Sequence, residues 1–343
     1  MANSFDNQSL VTVARLYHLS GLKQEQIASR LMISRAMVSL MLTEARRLGI
    51  VEVRVCDPQS EYVEYAEVIH SHFSLERCVV IPTSAKAPEI LRELVASRAV
   101  AIFNEQLSDG DTIAMAWGRT CHAFMEMFQP DRRLRATKVV PLVGMSNMNL
   151  SSYQLNETVR KFAATIDAKP YFVHAPALTR SIEDCHLYMQ STNMKDIMES
   201  WANVDIAVVA IGAPPISEEF DGSDIAHTRQ KNRQNLRDHL SLPVGNMSAR
   251  YFNIDGKFLD DEISRRTIAI SPDALQRVPK VIALAAGSDR ACSIIGALNT
   301  GAVKTLVIDE SAAEAVVGVL QHKDERTGYQ DLVLSLYNGS ATS

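Results

Sequence analysis

The sequence predicts an α/β protein in which a small helix-turn-helix domain of the winged type precedes a larger domain with a Rossmann-like parallel sheet. Two observations lead to this fold class. Apolar residues repeat at helical spacing in three short segments before residue 50. From about residue 77, short and almost wholly apolar segments alternate with amphipathic ones, which is the pattern of parallel strands covered by helices on both faces.

Three helices are predicted at the N-terminus. The first spans about Gln8–Leu19 and the second about Lys23–Leu31. The third begins at Ser34, a good N-cap, and ends at Gly49. The alternating residues Ile50–Val55 then predict a short strand, which would form the wing.

Changes in pattern divide the chain into four parts. Residues 1–56 form the helix-turn-helix domain, and residues 57–76 form a linker that contains a helix over about Glu61–Phe73. Residues 77–323 form the α/β domain. Residues 324–343 form a polar tail, whose last residues we expect to be frayed.

The α/β domain contains seven predicted strands and five predicted helices. The strands are Cys78–Ile81, Thr112–Ala116, Lys138–Val143, Pro170–His174, Asp205–Ile211, Val281–Ala285 and Thr305–Ile308. The helices are Pro88–Leu107, Arg119–Phe128, Tyr153–Asp167, Ser288–Asn299 and Ser311–Gln321. In such a sheet, ligands bind beyond the carboxyl ends of the strands.

Composition and charge narrow the class of protein. The 343 residues are 46% hydrophobic and 22% charged, the balance of a globular protein with a substantial core. We find no apolar run near the roughly 20 residues of a membrane helix and no signal-peptide pattern, so we expect a cytoplasmic protein without membrane contact. The net charge is −5, yet residues 1–56 carry seven basic and four acidic side chains, so a small basic domain precedes an acidic one.

Cysteine and histidine usage argues against metal chemistry. The five cysteines form no C-x-x-C pair, and the nine histidines form no H-E-x-x-H or other ligand-spaced cluster. We therefore expect small buried thiols rather than disulfides, and neither a metal site nor a cofactor.

The stretch from Gln24 to Leu42 favours DNA binding. It reads Q-x-x-I-A-x-x-L and then I-S-x-x-x-V-S, in which a small alanine lets two helices approach and Ser34 starts the second of them. The first turns of that helix reach base edges in the major groove in this motif. The predicted DNA-binding residues are Ser34 at the helix start, Arg35, Ala36 and Ser39 at base edges, Met37 in the groove or at a thymine methyl, and Lys23, Arg46 and Arg47 at phosphates. The alternative is a three-helix unit that binds another protein.

Two glycine-bearing turns predict an anionic effector. Trp117-Gly118-Arg119-Thr120 follows a buried strand and opens a helix, so backbone N–H groups and the positive end of the helix dipole are available to an anion. The turn Ala285–Arg290 again follows an apolar strand and opens a helix. Two such turns, each with an arginine, suit an effector with one or two phosphates.

These turns belong to an ordered series of motifs that resembles a known family. The series comprises the helix-turn-helix, W-G-R-T, P-L-V-G (Pro141–Gly144), Q-L-N (Gln154–Asn156), H-A-P-A (His174–Ala177), D-I-A-V-V-A-I-G-A (Asp205–Ala213), V-G-N-M-x-x-R-Y-F-N-x-D-G (Val244–Gly256) and A-A-G-S-D-R (Ala285–Arg290). Over about residues 8–320, it resembles the SorC/DeoR-type family of sugar-responsive bacterial transcriptional regulators. The resemblance implies a winged helix-turn-helix on a domain similar to sugar-phosphate isomerases, usually a homotetramer that binds operator DNA and a sugar or sugar phosphate.

The resemblance also implies an effector site. Its residues are Trp117, Gly118, Arg119, Thr120, Gln154, Asn156, Asn246 and Arg290. Two of them depart from the family pattern, because relatives commonly have Lys in place of Arg290 and a carboxylate in place of Asn246. Arginine keeps the charge with another geometry, and asparagine can donate as well as accept.

Several of these residues keep a structural alternative. Trp117 could be ordinary core instead of a lid on the ligand, and Gln154 and Asn156 could merely solvate a helix start. Arg290 could form a salt bridge at a domain interface. His174 is more readily explained as a hydrogen-bonded packing residue.

The predicted function is regulation of a carbohydrate-utilisation operon under the control of a small phosphorylated sugar or polyol. The alternative is a sugar-phosphate isomerase-like enzyme with an attached DNA-binding module. Such chemistry needs a general base, for which only Asp205, Asp289 and Glu157 come into question, and none of them lies in a recognisable catalytic motif. A scaffold without a ligand is the third possibility. We predict no catalytic residue and no enzymatic activity.

Overall fold

The structure is a computed structural model that describes residues 5–51, 63–134, 137–145, 154–214, 242–321, 329 and 332–333. The chain divides into two compact units, residues 1–59 and residues 60–343. The buried apolar residues form two separate clusters, one in each unit. Each unit therefore has a hydrophobic core of its own.

Three helices build the first unit. They span Asn7–Ala14, Gln24–Leu31 and Arg35–Arg47, and a π-helical turn at Arg15–Leu19 continues the first of them. Their inward faces meet in one core, whose buried members are Leu10, Val13, Ala14, Ile27, Ala28, Val38, Met41, Leu42 and Ala45. These are positions that the helical periodicity predicts to face inward.

The turn between the second and third helices is set by two residues. Met32 ends the second helix in the left-handed conformation, with a φ of 52°. Ser34 caps the third helix, as predicted, because its Oγ accepts a hydrogen bond from the Met37 N–H at 3.1 Å.

The predicted strand Ile50–Val55 is wrong at its first two residues. The N–H groups of Ile50 and Val51 both donate to the Ala45 carbonyl, at 2.9 and 3.1 Å, so these residues wind the end of the helix into a turn. The remaining residues, 52–55, lie outside the described part of the chain, as do residues 61–62 of the predicted linker helix.

A parallel sheet forms the centre of the second unit, which confirms the predicted α/β class. The strands are β1 Arg77–Ile81, β2 Thr112–Met115, β3 Lys138–Pro141, β4 Lys169–Pro170, β5 Ile206–Gly212, β6 Gly245–Met247, β7 Arg250–Phe252, β8 Lys280–Ala285 and β9 Thr305–Asp309. The parallel strands are arranged in the order β1-β9-β8-β5-β2-β3-β4, and β6 pairs antiparallel with both β5 and β7. Almost every residue of β2, β8 and β9 is buried, so helices cover both faces of the sheet.

The helices of the second unit include two groups whose members pack against one another. The α-helices span Val63–Phe73, Pro88–Gln106, Arg119–Met127, Leu155–Thr165, Ile182–Gln190, Thr192–Ala202, Glu262–Arg266, Pro272–Arg277, Ala291–Asn299 and Glu310–Leu320, and a 3₁₀ turn spans Ser288–Arg290. The second, third and fourth of these pack side by side around four phenylalanine rings, namely Phe103, Phe124, Phe128 and Phe162. The helix Glu310–Leu320 packs against Val63–Phe73 and against Ala291–Asn299.

The strand order changes direction between β2 and β5. The chain proceeds from β2 to β3 and β4 on one side, and from β5 to β8 and β9 on the other. The two central strands are nevertheless direct neighbours, with Met115 paired to Val208. A parallel sheet with such a switch point opens a crevice beyond the carboxyl ends of the two strands, where ligands bind.

Candidate functional site

The first turns of the helix Arg35–Arg47 present a mostly exposed surface. Ser34, Arg35, Ala36 and Ser39 are exposed. Met37 is only partly exposed, because it also packs against the core of the first unit. The three predicted base-edge residues and the helix start are thus exposed, and Met37 is accessible in part.

The basic residues of the first unit differ in their partners. Lys23, Arg46 and Arg47 are exposed. Arg47 forms two hydrogen bonds to Glu44, at 2.6 and 2.8 Å, and these bonds hold the pKa of the Glu44 carboxyl below its usual value. The carboxylate of Glu44 therefore competes with any phosphate for the Arg47 guanidinium.

Arg35 faces a carboxylate that the sequence did not single out. Its Nη1 lies 3.6 Å from Oε1 of Glu25 on the preceding helix, and both side chains are about 70% exposed (68% and 72%). The spacing of ten residues gives no helical signal for this pair, since it crosses the turn between two helices.

The first glycine-bearing turn follows β2 at the switch point. Gly118 adopts φ 121° and ψ 155°, which only glycine adopts readily, and a Cβ there would lie 3.2 Å from the Cβ of Ala210 in β5. The helix Arg119–Met127 begins at the next residue, with Thr120 8% exposed. Arg119 is exposed, and Trp117 is partly buried against the core. Part of the Trp117 side chain is thus packed against the core, and the rest of it is accessible.

Arg119 also acts on the neighbouring helix electrostatically. The pKa of Glu89 is lowered by a hydrogen bond from its own backbone, by Arg92 and by the charge of Arg119. The first turns of the helices Pro88–Gln106 and Arg119–Met127 therefore lie near each other.

The second glycine-bearing turn follows β8. Gly287 adopts a φ of 97°, and a Cβ there would lie 2.6 Å from Oδ1 of Asp289. Its N–H donates a hydrogen bond of 2.6 Å to Oδ2 of Asp309, the last residue of β9. The Arg290 side chain is 17% exposed and its Nε lies 3.3 Å from Oδ2 of Asp289.

The two turns flank the same strand. Because β2 and β8 lie on either side of β5, the turns are two strand spacings apart, or about 10 Å. The end of β5, with Gly212, lies between them. A small molecule at this edge of the sheet could therefore contact both turns.

Asn246 lies beside the end of β5. It is 4% exposed, pairs with Gly212 across the antiparallel β5–β6 ladder, and donates a hydrogen bond of 2.9 Å from Nδ2 to the Ala213 carbonyl. A Cβ on Gly212 would lie 2.6 Å from that Nδ2. An aspartate could not donate to the Ala213 carbonyl, which gives a physical reason for the asparagine at this position.

At the polar start of the helix after β3, the Asn156 side chain is hydrogen-bonded to the backbone and the Gln154 side chain is exposed. The Asn156 amide donates to the Val173 carbonyl at 3.0 Å and accepts from the Val173 N–H at 3.2 Å, so it holds the chain that follows β4. Gln154 is exposed and its side chain does not cap the helix. His174 is exposed as well, with its ring 6.1 Å from that of Phe172, so it is not a packed core residue.

The hairpin of β6 and β7 connects β5 with a segment that is bonded to the residues after β3. Its strand β6 is bonded to β5, on one side of β2. Arg250 in β7 donates to four backbone carbonyls of the segment 264–270, at 2.7 to 3.3 Å. That segment is bonded to Leu142 and Gly144 beyond β3, on the other side of β2. Burial lowers the pKa of Arg250.

The carboxylates considered as general bases lie in other settings. Asp205 precedes β5 and accepts a hydrogen bond of 2.8 Å from the Thr112 N–H, at the amino ends of the strands and away from both turns. Glu157 is paired with Arg160 at 2.6 Å. Asp289 is exposed beside Arg290.

Metal-binding and thiol chemistry find little support among the described residues. These residues contain no group of three or more His, Cys, Asp or Glu side chains that could hold a metal ion. Cys121, Cys185 and Cys292 are buried, as predicted, and burial raises the pKa of the Cys78 thiol to about 12. Cys56 lies outside the described residues.

Within the part of the chain that the structure describes, no helix has the length and apolarity needed to cross a membrane.

Residues 57–318 match the family described as "Putative sugar-binding domain". Two relatives match nearly the whole chain. The sorbitol operon regulator of Klebsiella pneumoniae is 27% identical over 92% of this chain and 100% of its own length. The deoxyribonucleoside regulator of Bacillus subtilis is 28% identical over 91% of this chain and 98% of its own length.

Solved structures resemble the chain in both units and in the larger unit alone. The full-length sorbitol operon regulator SorC from Klebsiella pneumoniae aligns with a TM-score of 0.73 at 26% identity, over 92% of this chain and 100% of that one. A domain of a possible sugar-binding transcriptional regulator from Arthrobacter aurescens aligns with a TM-score of 0.66 at 19% identity, over 76% of this chain and 100% of that one. At 19% identity, the similarity to the Arthrobacter aurescens domain shows the fold alone.

Proposed function

The chain belongs to the sugar-binding domain family, and from this premise we propose that it is a transcriptional regulator of a carbohydrate-utilisation operon. Residues 1–56 read double-stranded operator DNA. Residues 77–323 bind a small phosphorylated sugar or polyol, residues 57–76 link the two parts, and residues 324–343 are a polar tail. The protein acts in the cytoplasm as a homo-oligomer, with a tetramer as the proposed state. In such an oligomer, ligand binding can change the relative positions of two or more DNA-binding units.

The observation that carries the effector half of this proposal is the position of the two glycine-bearing turns. Both lie at the carboxyl edge of the sheet, on the two strands that flank β5, beside the switch point. Each turn opens a helical segment and contributes an arginine, so each offers N–H groups and positive charge to an anion.

The proposed contacts follow from exposure and bonding. Gly118, Arg119 and Thr120 bind a phosphate through backbone N–H groups, guanidinium and hydroxyl. Arg290 binds a second anionic or polar group. Gln154, which is free of a capping role, and Trp117 line the crevice. Asn246 and Asn156 shape its walls through the bonds they make to the Ala213 and Val173 backbone.

The DNA half rests on the exposed first turns of the helix Arg35–Arg47. Arg35, Ala36 and Ser39 contact base edges, Met37 contacts the groove with its free part, and Ser34 holds the helix start. Lys23, Arg46 and Arg47 neutralise phosphates.

A ligand screen tests the effector half. Phosphorylated pentoses, hexoses and alditols are added to the full chain, and thermal stabilisation is measured. We expect at least one compound to stabilise, and Thr120→Val and Arg290→Ala to abolish the effect, because each removes a polar contact that the bound anion needs. Arg160→Ala is the control, since Arg160 is an exposed residue paired with Glu157 and is not among the proposed contacts. A panel without any stabilising compound would contradict the proposed effector class.

Selection from a random DNA pool followed by gel-shift titration tests the DNA half. We expect Arg35→Ala to weaken binding about 10- to 100-fold and to relax specificity at one base position, as loss of a base contact does. Arg46→Ala should weaken binding to all sequences equally and reduce the salt dependence. Equal behaviour of the Arg35→Ala variant and the parent protein would remove Arg35 from base recognition.

Regulation requires that the effector change DNA affinity. The two affinities must be coupled, so the stabilising compound should alter operator binding, and operator should alter affinity for the compound by the same factor. The enzymatic alternative is not favoured, because Asp205 lies at the amino ends of the strands, Glu157 is paired with Arg160 and Asp289 is paired with Arg290. Turnover of a sugar phosphate by the full chain would revive it.

A further inference from the structure

Asp309 is a fully buried carboxylate at the carboxyl edge of the sheet. It is the last residue of β9 and is 0% exposed. Four donors reach it: the backbone N–H and hydroxyl of Ser311, the N–H of Ala312 and the N–H of Gly287. A buried charge is tolerated when it is satisfied in this way. None of the roles assigned so far to the effector site uses it directly.

The two oxygens of this carboxylate serve different structures. Oδ1 accepts from Ser311 and Ala312, at 2.5 to 3.3 Å, and so caps the helix Glu310–Leu320. Oδ2 accepts the 2.6 Å bond from Gly287, which is shorter than an ordinary N–H···O bond. The Gly287 N–H is therefore directed at Asp309, and the Arg290 N–H donates to the Gly287 carbonyl at 3.2 Å, so a ligand would meet the backbone of Ser288 and Asp289 and the side chain of Arg290.

The capped helix connects this turn with the linker helix. Glu310–Leu320 packs against the 3₁₀ turn Ser288–Arg290 and also against the helix Val63–Phe73. That second helix follows residues 52–62, through which the chain runs from the first unit to the second. The helix Glu310–Leu320 therefore contacts both the turn and the linker helix.

We propose that Asp309 is a positioning residue of the effector site: it fixes the turn Gly287–Arg290 for ligand binding and ties it to the helix that packs on the linker helix. The inference rests on the proposed effector site. Asp309 does not touch the ligand, and it acts through Gly287. Loss of the tie leaves the helix cap and the core in place but lets the turn move.

Two substitutions separate the tie from the cap. In Asp309→Asn, the amide oxygen can still cap the helix, because asparagine caps as well as aspartate, but the amide NH₂ then faces the Gly287 N–H and no bond forms. In Asp309→Ser, one hydroxyl can cap the helix and cannot serve Gly287 as well. Ser311→Ala is the matched control, because it removes the hydroxyl donor at Oδ1 and leaves the Gly287 bond intact.

The first measurement is hydrogen exchange of the full-length protein without ligand. We expect amides of residues 286–290 to exchange about tenfold or more faster in Asp309→Asn and Asp309→Ser, since one charge-assisted bond is lost. Residues 311–320 should exchange as in the parent protein, and Ser311→Ala should leave residues 286–290 unchanged. Unchanged exchange at residues 286–290 in both Asp309 variants would overturn the proposed tie.

In the second measurement, the same proteins are titrated with inorganic phosphate at constant ionic strength, and the thermal stabilisation is recorded at each phosphate concentration. We expect the half-saturating phosphate concentration to rise about tenfold in both Asp309 variants and to stay unchanged in Ser311→Ala. Equal phosphate affinity in all four proteins would overturn the positioning role, even with altered exchange.

The two proposals fail in different ways. If the parent protein binds neither inorganic phosphate nor any compound of the sugar-phosphate panel, the proposed effector class fails, and hydrogen exchange alone decides whether Asp309 holds the turn. If the parent protein binds phosphate and the Asp309 variants bind it equally well, the effector class stands and the inference about Asp309 is wrong.

Discussion

Met32 holds the turn between the two helices of the DNA-binding motif in a conformation that favours glycine. Its φ is 52° and its side chain is 93% exposed, so the backbone is strained without packing that compensates. We expect Met32→Gly to raise the free energy of unfolding of the first unit by about 0.5 to 1 kcal/mol, the relief of strain less the added freedom of the unfolded chain.

The control for Met32 is Met32→Ala, which removes the same exposed atoms but keeps a Cβ. It should not stabilise the unit. Hydrogen exchange of residues 24–47 measures both effects in the full chain. Equal gains from alanine and glycine would show that the side chain, rather than the backbone, is responsible.

Asn246 predicts a pH-dependent effect on stability. In Asn246→Asp, the carboxylate faces the Ala213 carbonyl without a donor, so we expect a loss of about 1 to 3 kcal/mol at neutral pH. Protonation restores a donor, so the folded-state pKa of the new carboxyl should lie above its unfolded value of about 3.9. The loss should therefore shrink as the pH falls below that raised folded-state pKa, and it should be smallest at about pH 4 and below.

Asn246→Ala serves as the comparison for this effect, because it removes the same hydrogen bond without introducing a titrating group. Urea unfolding at pH 4 and pH 7 measures both variants. A constant difference between the aspartate and alanine variants at the two pH values would contradict the proposed cause.

Single residues of the site were predicted unevenly from the sequence. Gly118 and Gly287 could be predicted, because a glycine directly after a buried strand and before a helix is visible in one short stretch. Glu25 and Asp309 could not, because their partners Arg35 and Gly287 are distant in sequence and each pairing depends on a tertiary turn. Asn156 was expected at the ligand, yet its amide is committed to Val173.

At the scale of elements, the hairpin of β6 and β7 depends on Arg250. Arg250→Met leaves four backbone carbonyls of the segment 264–270 without their donor, so we expect a loss of about 3 kcal/mol or more. Faster hydrogen exchange should be confined to the hairpin and to residues 264–270. Arg250→Lys should recover only part of the stability, because one ammonium cannot reproduce a guanidinium fork.

Arg265→Met is the matched control for Arg250. This neighbouring arginine is 57% exposed and pairs with Asp260, so its loss should change stability by less than about 1 kcal/mol. Similar losses from the two substitutions would mean that the buried carbonyls do not depend on Arg250.

Elements with strong local patterns were predicted, and elements that depend on tertiary partners were not. The long helix Pro88–Gln106 and the central strands follow their apolar periodicity closely. The strand predicted at Pro170–His174 is wrong beyond Pro170, because Asn156 takes the N–H and carbonyl of Val173 that a ladder would use. The strands of the β6–β7 hairpin have three residues each and are too short for an alternating signal.

Across the whole molecule, the two separate cores predict two unfolding events. Val38 is fully buried in the first unit and Val307 in the second. We expect Val38→Ala to lower the stability of the first unit by about 2 to 3 kcal/mol and to leave exchange of the parallel sheet unchanged, with Val307→Ala doing the reverse. Calorimetry and hydrogen exchange of the full chain measure this. A single transition that both substitutions shift equally would contradict it.

The family resemblance drawn from the order of motifs is confirmed by the match over residues 57–318. Order was informative because several of the motifs, such as W-G-R-T after β2 and A-A-G-S-D-R at β8, lie at the carboxyl ends of strands, so the series follows the sheet as well as the site. The proposed oligomer and the nature of the ligand depend on surfaces and on shapes that no short motif encodes, and they stay proposals.

The switch point between β2 and β5 has an evolutionary consequence. A crevice is expected there because the strand order reverses, and buried β-strand residues maintain that order, while most of the residues proposed to face the ligand lie on turns outside the sheet. Selection can therefore replace the chemistry of the turns after a gene duplication and leave the packed interior nearly untouched. A descendant of this chain could come to bind a different ligand through a few substitutions, at little risk to its ability to fold.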